Sequence, residues 1–373
     1  MKIAFLCIYS HPSICGVWNR VSSMAEMLIK KGHEVHVFST NIIKGTNKKS
    51  KSYEVYNKIK IHRFSPKLSF GENVKFWDFV SELEELNPDI IITEVYRHPH
   101  TNLALKVAQK LKKPIFLVTH APFVETELRS RFDNLIVNFY DKFYGRKTIN
   151  KFNKVITITK WEIPYLLKLG VQKNKLFYLP NGIPKQFFEI KQKKGKEILF
   201  LGRISPIKNL ETLIISIKKS TEKYPNIKLK IIGPAEESYK KKLVGLIKKL
   251  KLEKNITFYP AVYDLNKKIK IIDDSEIFVL PSKREAMPQS LIEAMARGKI
   301  VIASDNKGSS EIIKDKENGF LFPISNPEKL ARTIDFILNR KNEKILSKIR
   351  KNARKKALEF RWDILINKME ALF

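Results

Sequence analysis

A chain of 373 residues with 43% hydrophobic content exceeds one ordinary core and predicts two globular domains of near-average size. Lys+Arg 71 against Asp+Glu 38 gives a formal charge of +33, a strongly positive field, while no apolar run approaches the ~20 residues of a membrane span. The only cysteines, Cys7 and Cys15, fit a reducing compartment rather than a disulfide scaffold.

Three partners are compatible with the charge: nucleic acid, an anionic lipid surface, or none, the surplus being a lysine-rich compositional background. The lysines are dispersed (Lys48, Lys49, Lys51; Lys240–Lys242; Lys348, Lys351, Lys355, Lys356) and accompany abundant Ile and Asn, which favours background first and a membrane surface second. No zinc-finger spacing or RNP-type aromatic motif supports nucleic acid.

In chain order, Lys2–Ile8 reads as a buried first strand, since the run breaks at Ser10, His11 and Pro12 before a secretory core is complete. The expected location is the cytoplasm, with peripheral attachment to the inner membrane face as the charge-based addition. A loop with Gly16 precedes an amphipathic helix over Val21–Lys31, stopped by Gly32. Glu34–Ser39 is strand-like, and Ile90–Thr93, Ile115–Val118 and Val155–Ile158 are short apolar runs of the buried, parallel kind. Asn102–Leu111 and Trp161–Leu169 show helical spacing between them.

A Pro180-Asn181-Gly182-Ile183-Pro184 linker and a basic stretch, Lys191–Lys196, follow. The alternation then restarts with strands at Ile198–Leu201, Lys228–Ile232, Ile256–Tyr259, Ile277–Leu280 and Ile300–Ala303. Helices are expected over Leu210–Lys219, Tyr239–Leu250, Ser290–Ala296 and Pro327–Leu338, with one or two more in Glu343–Phe373. Two such runs predict an α/β fold of two open, mostly parallel sheets, with ligands beyond the carboxyl ends of the strands and in the cleft between facing domains.

Two segments carry chemistry. Gly202-Arg203-Ile204-Ser205-Pro206-Ile207-Lys208-Asn209 puts two cations at the carboxyl end of a strand, where Gly202 permits a tight turn, Arg203 can fork onto phosphate oxygens and Lys208 adds a point charge. Alone it also reads as an ordinary surface loop of a basic protein. The second segment runs from Pro281 to Gly298: Glu285 stands in a loop, Pro288 takes the first helical position, and Glu293 lies inside the helix. Eight helical residues rise ~12 Å, too far for the ~5 Å carboxylate couple of a double-displacement glycosidase. The glutamates instead suit different parts of one long ligand, and the backbone N–H groups of Gln289 and Ser290 at the helix start suit a phosphate. A nucleotide sugar satisfies this layout.

Residues 202–208 and 281–298 resemble the signatures of retaining GT-B glycosyltransferases of family four, the group 1 glycosyl transferases. The resemblance extends through 155–159, Pro180-Asn181-Gly182-Ile183, Ser304-Asp305 to Gly308, Glu311-Ile312-Ile313, Asn318-Gly319-Phe320-Leu321 and Phe360-Arg361-Trp362. It implies two Rossmann-like domains facing a cleft, an acceptor-binding domain over 1–184 and a donor-binding domain over 185–357, with a closing helix over 358–373 crossing back to the first. It also implies roles. Arg203 and Lys208 neutralise the leaving diphosphate, Glu285 binds hydroxyls of the transferred sugar, Glu293 holds the ribose, and Gln289 and Ser290 N–H contact phosphate. Gly16 approaches the donor phosphates, and His120, at a strand's carboxyl end, lies near the reacting sugar.

The sequence departs from the pattern at Cys15-Gly16 (paired glycines), Glu285-Ala286 (Glu-Gly), Lys307 (a glycine) and Pro184 (an acidic residue). No Asp-x-Asp motif ends a strand, no His/Cys cluster has metal-ligand spacing, and Asp273-Asp274 reads as a turn. The expectation is therefore metal-independent hexosyl transfer with retention, from a nucleotide-diphosphate donor to a glycan, glycolipid or small-molecule acceptor, without a cofactor. The alternatives are a nucleotide-sugar epimerase or hydrolase on the same fold, or a basic membrane- or nucleic-acid-binding protein without turnover. Asp141–Lys154 reads either as a basic amphipathic stretch touching anionic membrane or as a solvated helix packed on its sheet.

Overall fold

The computed structural model describes residues 1–13, 15–46, 48–71, 74–123, 130–189 and 195–373. The basic stretch predicted at Lys191–Lys196 lies outside the described residues over 191–194. The chain divides into two compact units, one formed by Met1–Gly182 with Trp362–Phe373 and the other by Ile183–Arg361.

Among the described residues, the N-terminal unit is built on ten strands: β1 Lys2–Leu6, β2 Glu34–Thr40, β3 Tyr53–Tyr56, β4 Ile59–Phe64, β5 Leu68–Phe70, β6 Val74–Phe76, β7 Ile90–Glu94, β8 Ile115–Val118, β9 Lys154–Thr157 and β10 Leu176–Tyr178. Eight of them form a sheet in the order β10-β9-β8-β7-β1-β2-β4-β3, and β5 pairs with β6. All neighbours in the large sheet run parallel except β3 and β4. Helices cover both faces of a parallel sheet, so β7 and β8 are buried at every residue, β8 apolar throughout and β7 apolar through Ile92.

The C-terminal unit repeats the plan with β11 Glu197–Leu201, β12 Leu229–Ile232, β13 Ile256–Tyr259, β14 Ser275–Leu280, β15 Ile300–Ser304 and β16 Phe320–Phe322. Their order is β13-β12-β11-β14-β15-β16, parallel throughout. The central strand β11 has its sequence successor on one side and β14 on the other. Connections leave it in opposite directions, so a crevice opens at the carboxyl ends of β11 and β14. In the N-terminal unit β1, flanked by β2 and β7, plays the same part.

Several expectations are corrected. The first helix spans Gly16–Lys30, five residues longer at its start than its apolar periodicity, because Cys15 accepts a hydrogen bond from Trp18 N at 3.5 Å and caps it. Pro288 is the N-cap of the helix Gln289–Ala296, not its first residue. Asp273-Asp274 ends the helix Leu265–Asp274, and Asp273 pairs with the buried Arg297 at 2.6 Å.

The linker motif has a structural purpose. The buried Arg20 donates to Leu179 O, Pro180 O and Asn181 Oδ1 at 3.3, 3.2 and 2.9 Å and stacks over Trp362, 5.8 Å from the ring centroid. A side chain on Gly182 would strike that ring at 2.4 Å, so the turn admits no Cβ there. The closing helix Trp362–Glu370 thereby belongs to the N-terminal unit and packs on the helix Gly16–Lys30.

Candidate active site

In the C-terminal unit the loops after β11 and β14 meet at the switch point. Lys283 N donates to Ile207 O at 2.8 Å, tying the Gly202–Asn209 loop to the 281–288 loop. This link brings Lys208 to Glu285, with Nζ 2.6 Å from Oε1 and the two side chains 19% and 12% exposed. Ser282 Oγ donates to the same oxygen at 2.6 Å. Ser282 is itself fixed from behind: its carbonyl accepts from Asn306 Nδ2 at 3.0 Å and from Ser304 Oγ. Arg203 stands exposed at the mouth of the loop, and its neighbour Ile204 is locked by a bond from its N–H to Pro234 O at 2.8 Å.

Glu293 lies one turn inside the helix Gln289–Ala296 and is 6% exposed. Lys268, from the helix Leu265–Asp274, donates to its Oε1 at 2.6 Å and lies 2.6 Å from Oε2. The N-cap of this helix is Pro288, whose side chain offers no hydrogen-bond cap. Its first turn, with Gln289 and Ser290, sets the positive end of the helix dipole beside the two Lys–Glu pairs. Gly308 closes the far side. A Cβ there would lie 2.5 Å from Glu285 O and 2.6 Å from Ala286 O, so the 285–286 backbone rests directly on the start of the helix Lys307–Ile312. The departure at Lys307 leaves this close approach intact.

The structure thus brings Gly202, Arg203, Lys208, Glu285, Gln289, Ser290 and Glu293 to one edge of one sheet. Among the partners, Lys268, Ser282 and Asn306 were not predicted. Asn306 had a readable signal, an asparagine three residues before Ser309, whose N–H it accepts at 3.1 Å as an N-cap. Lys268 had none, since one of three lysines in a ten-residue helix carries no pattern.

Gly16 and His120 belong to the other unit. Gly16 is the first residue of its helix and has nothing within 4 Å of where a Cβ would stand. His120 follows β8, and its Nε2 bonds Glu94, a fully buried carboxylate at the end of β7. The backbone here is unusual: Val95, Arg97, His120 and Ala121 have φ of 78°, 69°, 59° and 48°, a concentration of left-handed non-glycine residues that marks functional sites. Glu162 holds it in place, accepting from Thr119 Oγ1 at 2.6 Å, Ala121 N at 3.0 Å, Ile158 N at 2.8 Å and Thr159 N at 3.1 Å. Desolvation raises the Glu162 carboxyl above its ordinary value against these bonds. Sequence reasoning missed both glutamates, although Thr159-x-x-Glu162 is a capping-box pattern. Among the described residues, no three His, Cys, Asp or Glu side chains are grouped to hold a metal ion.

Two parallel α/β units, each with charged side chains at the switch point of its sheet, define the GT-B class of glycosyltransferases. Solved structures agree: a glycosyltransferase from Rickettsia africae has a TM-score of 0.78 at 19% identity, covering 100% of this chain and 97% of its own. Anabaena HepE in complex with UDP and glucose gives 0.75 at 19%, covering 100% and 98%. Residues 183–356 match the model for glycosyl transferases group 1 and residues 14–187 that for glycosyltransferase family 4, and the chain belongs to this family. Its relatives include an uncharacterized glycosyltransferase of Methanocaldococcus jannaschii, 27% identical over 100% of this chain and 98% of its own length. Another is the phosphatidyl-myo-inositol mannosyltransferase of Mycolicibacterium smegmatis, 24% identical over 91% and 85%.

Proposed function

We propose that this glycosyltransferase moves a hexose-type sugar from a nucleotide-diphosphate donor to a glycan or lipid-linked acceptor, with retention and without an essential metal. The observation that carries this reading is the convergence of Arg203, Lys208 and Glu285 on the β11/β14 crevice beside the helix start at Gln289. Arg203 and Lys208 meet the charge that develops on the leaving diphosphate, and the helix N-terminus adds fixed donors. A preorganised set of this kind supplies the role a divalent ion would fill. Glu293 accepts the ribose hydroxyls, with Lys268 yielding part of its hold, and Glu285, oriented by Ser282, accepts sugar hydroxyls. UDP and sugar bound to the structural neighbour HepE support such a donor.

His120, polarised by the buried Glu94, is assigned to the reacting sugar and Gly16 to the donor phosphates. Retention follows if the acceptor oxygen attacks from the face the diphosphate leaves, its proton passing to the departing phosphate oxygen. That route needs no carboxylate nucleophile.

The test is turnover of a panel of nucleotide-diphosphate sugars with lipid and soluble acceptors, with the product anomer read by NMR. The reading expects one donor to be consumed, an α-linked donor to give an α-linked product, and chelator to leave the rate unchanged. Consumption of no donor overturns it, and an inverted product overturns the retaining mechanism.

A further inference from the structure

The segment after residue 130 is turned inside out. An amphipathic surface helix ordinarily buries its apolar stripe. In the helix Arg131–Tyr140 no residue is buried, and Phe132, Leu135, Ile136 and Phe139 are 70%, 67%, 51% and 64% exposed. Their spacing puts them on one face, and Phe143, 51% exposed in the π-helical turn Asp141–Gly145, continues the stripe and contacts the Phe139 ring at 4.6 Å. The side toward the protein is anchored by polar contacts instead. Tyr140 Oη donates to Asn102 Oδ1 at 3.0 Å, and Asp141 accepts from Tyr96 Oη at 3.0 Å and Arg97 Nε at 2.9 Å. These bonds fix which face points outward.

The charges around the stripe are mostly basic. Lys142, Arg146 and Lys147 are exposed just beyond it, and Asp141 is the one acid between residues 134 and 161. That acid is neutralised by Arg97, 2.5 Å away. Asp133, at the helix start, accepts a hydrogen bond from Ser130 Oγ at 2.7 Å. The surface also continues sideways. A groove beside Tyr144 is shared by Lys106 and Phe76, whose hairpin β5–β6 exposes Leu68 and Phe70 by 51% and 60%. A large apolar patch ringed by cations matches an anionic lipid bilayer, whose hydrocarbon takes the rings and whose headgroups take the lysines.

We infer that Phe132, Leu135, Ile136, Phe139 and Phe143, with Lys142, Arg146 and Lys147, form a docking surface by which the N-terminal unit lies on an anionic membrane. The inference deepens the proposed function by giving a lipid-linked acceptor a place to be met, and it rests on that reading only for its purpose. Binding is measured without donor, so docking and turnover fail separately.

The experiment is flotation of the full chain with vesicles of phosphatidylcholine alone or mixed with phosphatidylglycerol. The mixed vesicles should retain the chain, and the Phe132→Ser/Phe139→Ser variant should lose about tenfold or more of this partitioning at unchanged melting temperature. Lys142→Ser/Arg146→Ser/Lys147→Ser should lose roughly a hundredfold, through loss of the anionic preference. As an independent reading, Trp placed by Phe139→Trp should shift its emission to the blue on mixed vesicles. Absence of flotation and of the blue shift overturns the inference, as does flotation untouched by the serine variant. Self-association that the serine variant abolishes, with no vesicle binding, also overturns it and assigns the stripe to a second copy of the chain.

Discussion

In the C-terminal unit Lys208 and Glu285 keep part of their surface open and Arg203 stands in solvent, whereas in the N-terminal unit Glu94 and Glu162 are completely buried. The first set has donors and acceptors left for a ligand, because Lys208 has three N–H groups and a single carboxylate partner. Glu162 has the opposite use: its oxygens are saturated by backbone and threonine donors, and it shapes the turn that carries His120. Lys208, Glu285 and Arg203 are thus reachable where Glu162 is enclosed, while Glu293, 6% exposed, lies between the two cases. The same residue types therefore do different work at the carboxyl ends of two similar sheets.

The largest effect that can break this contrast is on turnover. On the proposed role of Lys208 at the leaving group, Lys208→Ala should lower kcat about 10²–10³-fold, with a stability loss of about 1–3 kcal/mol from the Glu285 carboxylate left without its lysine. A steady-state assay beside a urea titration checks both, and a stability loss that accounts for the lost rate would erase the distinction.

Glu162→Ala tests the other side. It leaves buried N–H donors unpaired, so the expected destabilisation is about 3 kcal/mol or more, read from the urea midpoint. Gly182→Ala, which drives a methyl into Trp362, should cost about 1–3 kcal/mol in the same unit.

Acid sharpens the comparison further. All seven histidines lie between His11 and His120, none in the C-terminal unit. Burial lowers His98 to about 4 and His100 to about 3. The unfolded chain takes up these protons near pH 6.5 while the folded unit does not. Stability is thus present above that pH and lost as pH falls toward 4 and then 3, by up to about 1.4 kcal/mol per pH unit per histidine. Urea titrations across this window should show the slope, and His100→Gln should flatten it. A smaller effect is expected of Gly308→Ala, which displaces the 285–286 backbone and should raise the donor KM about tenfold, or about 1.4 kcal/mol.

Most of the parallel architecture was readable because its buried strands carry short apolar runs, as at Ile90–Thr93 and Ile115–Val118. The β3–β4 hairpin was not. Its strands alternate, and its turn puts Asn57-Lys58 at φ of 48° and 67° where Asn-Gly is the recognisable form. The grouping of Arg203, Lys208, Glu285 and Glu293 at one end of the second sheet was legible because they sit in two contiguous segments, 202–208 and 281–298. Lys268 and Glu94 were not, since each reaches its place only through tertiary packing, whereas Glu162 carried a local signal in its spacing from Thr159. The Asp141–Lys154 stretch is notable in the sequence for its charge, but the apolar stripe begins nine residues earlier, at Phe132, and only the structure shows it facing out.

Calorimetric titration of UDP, GDP and ADP into the wild-type chain, Glu293→Ala and His120→Ala tests the assignment of the donor to the C-terminal unit. One nucleotide should bind the wild type with one-to-one stoichiometry, lose about tenfold or more in affinity in Glu293→Ala, and stay within about twofold in His120→Ala. Equal losses in both variants, or no binding of any of the three, would contradict it.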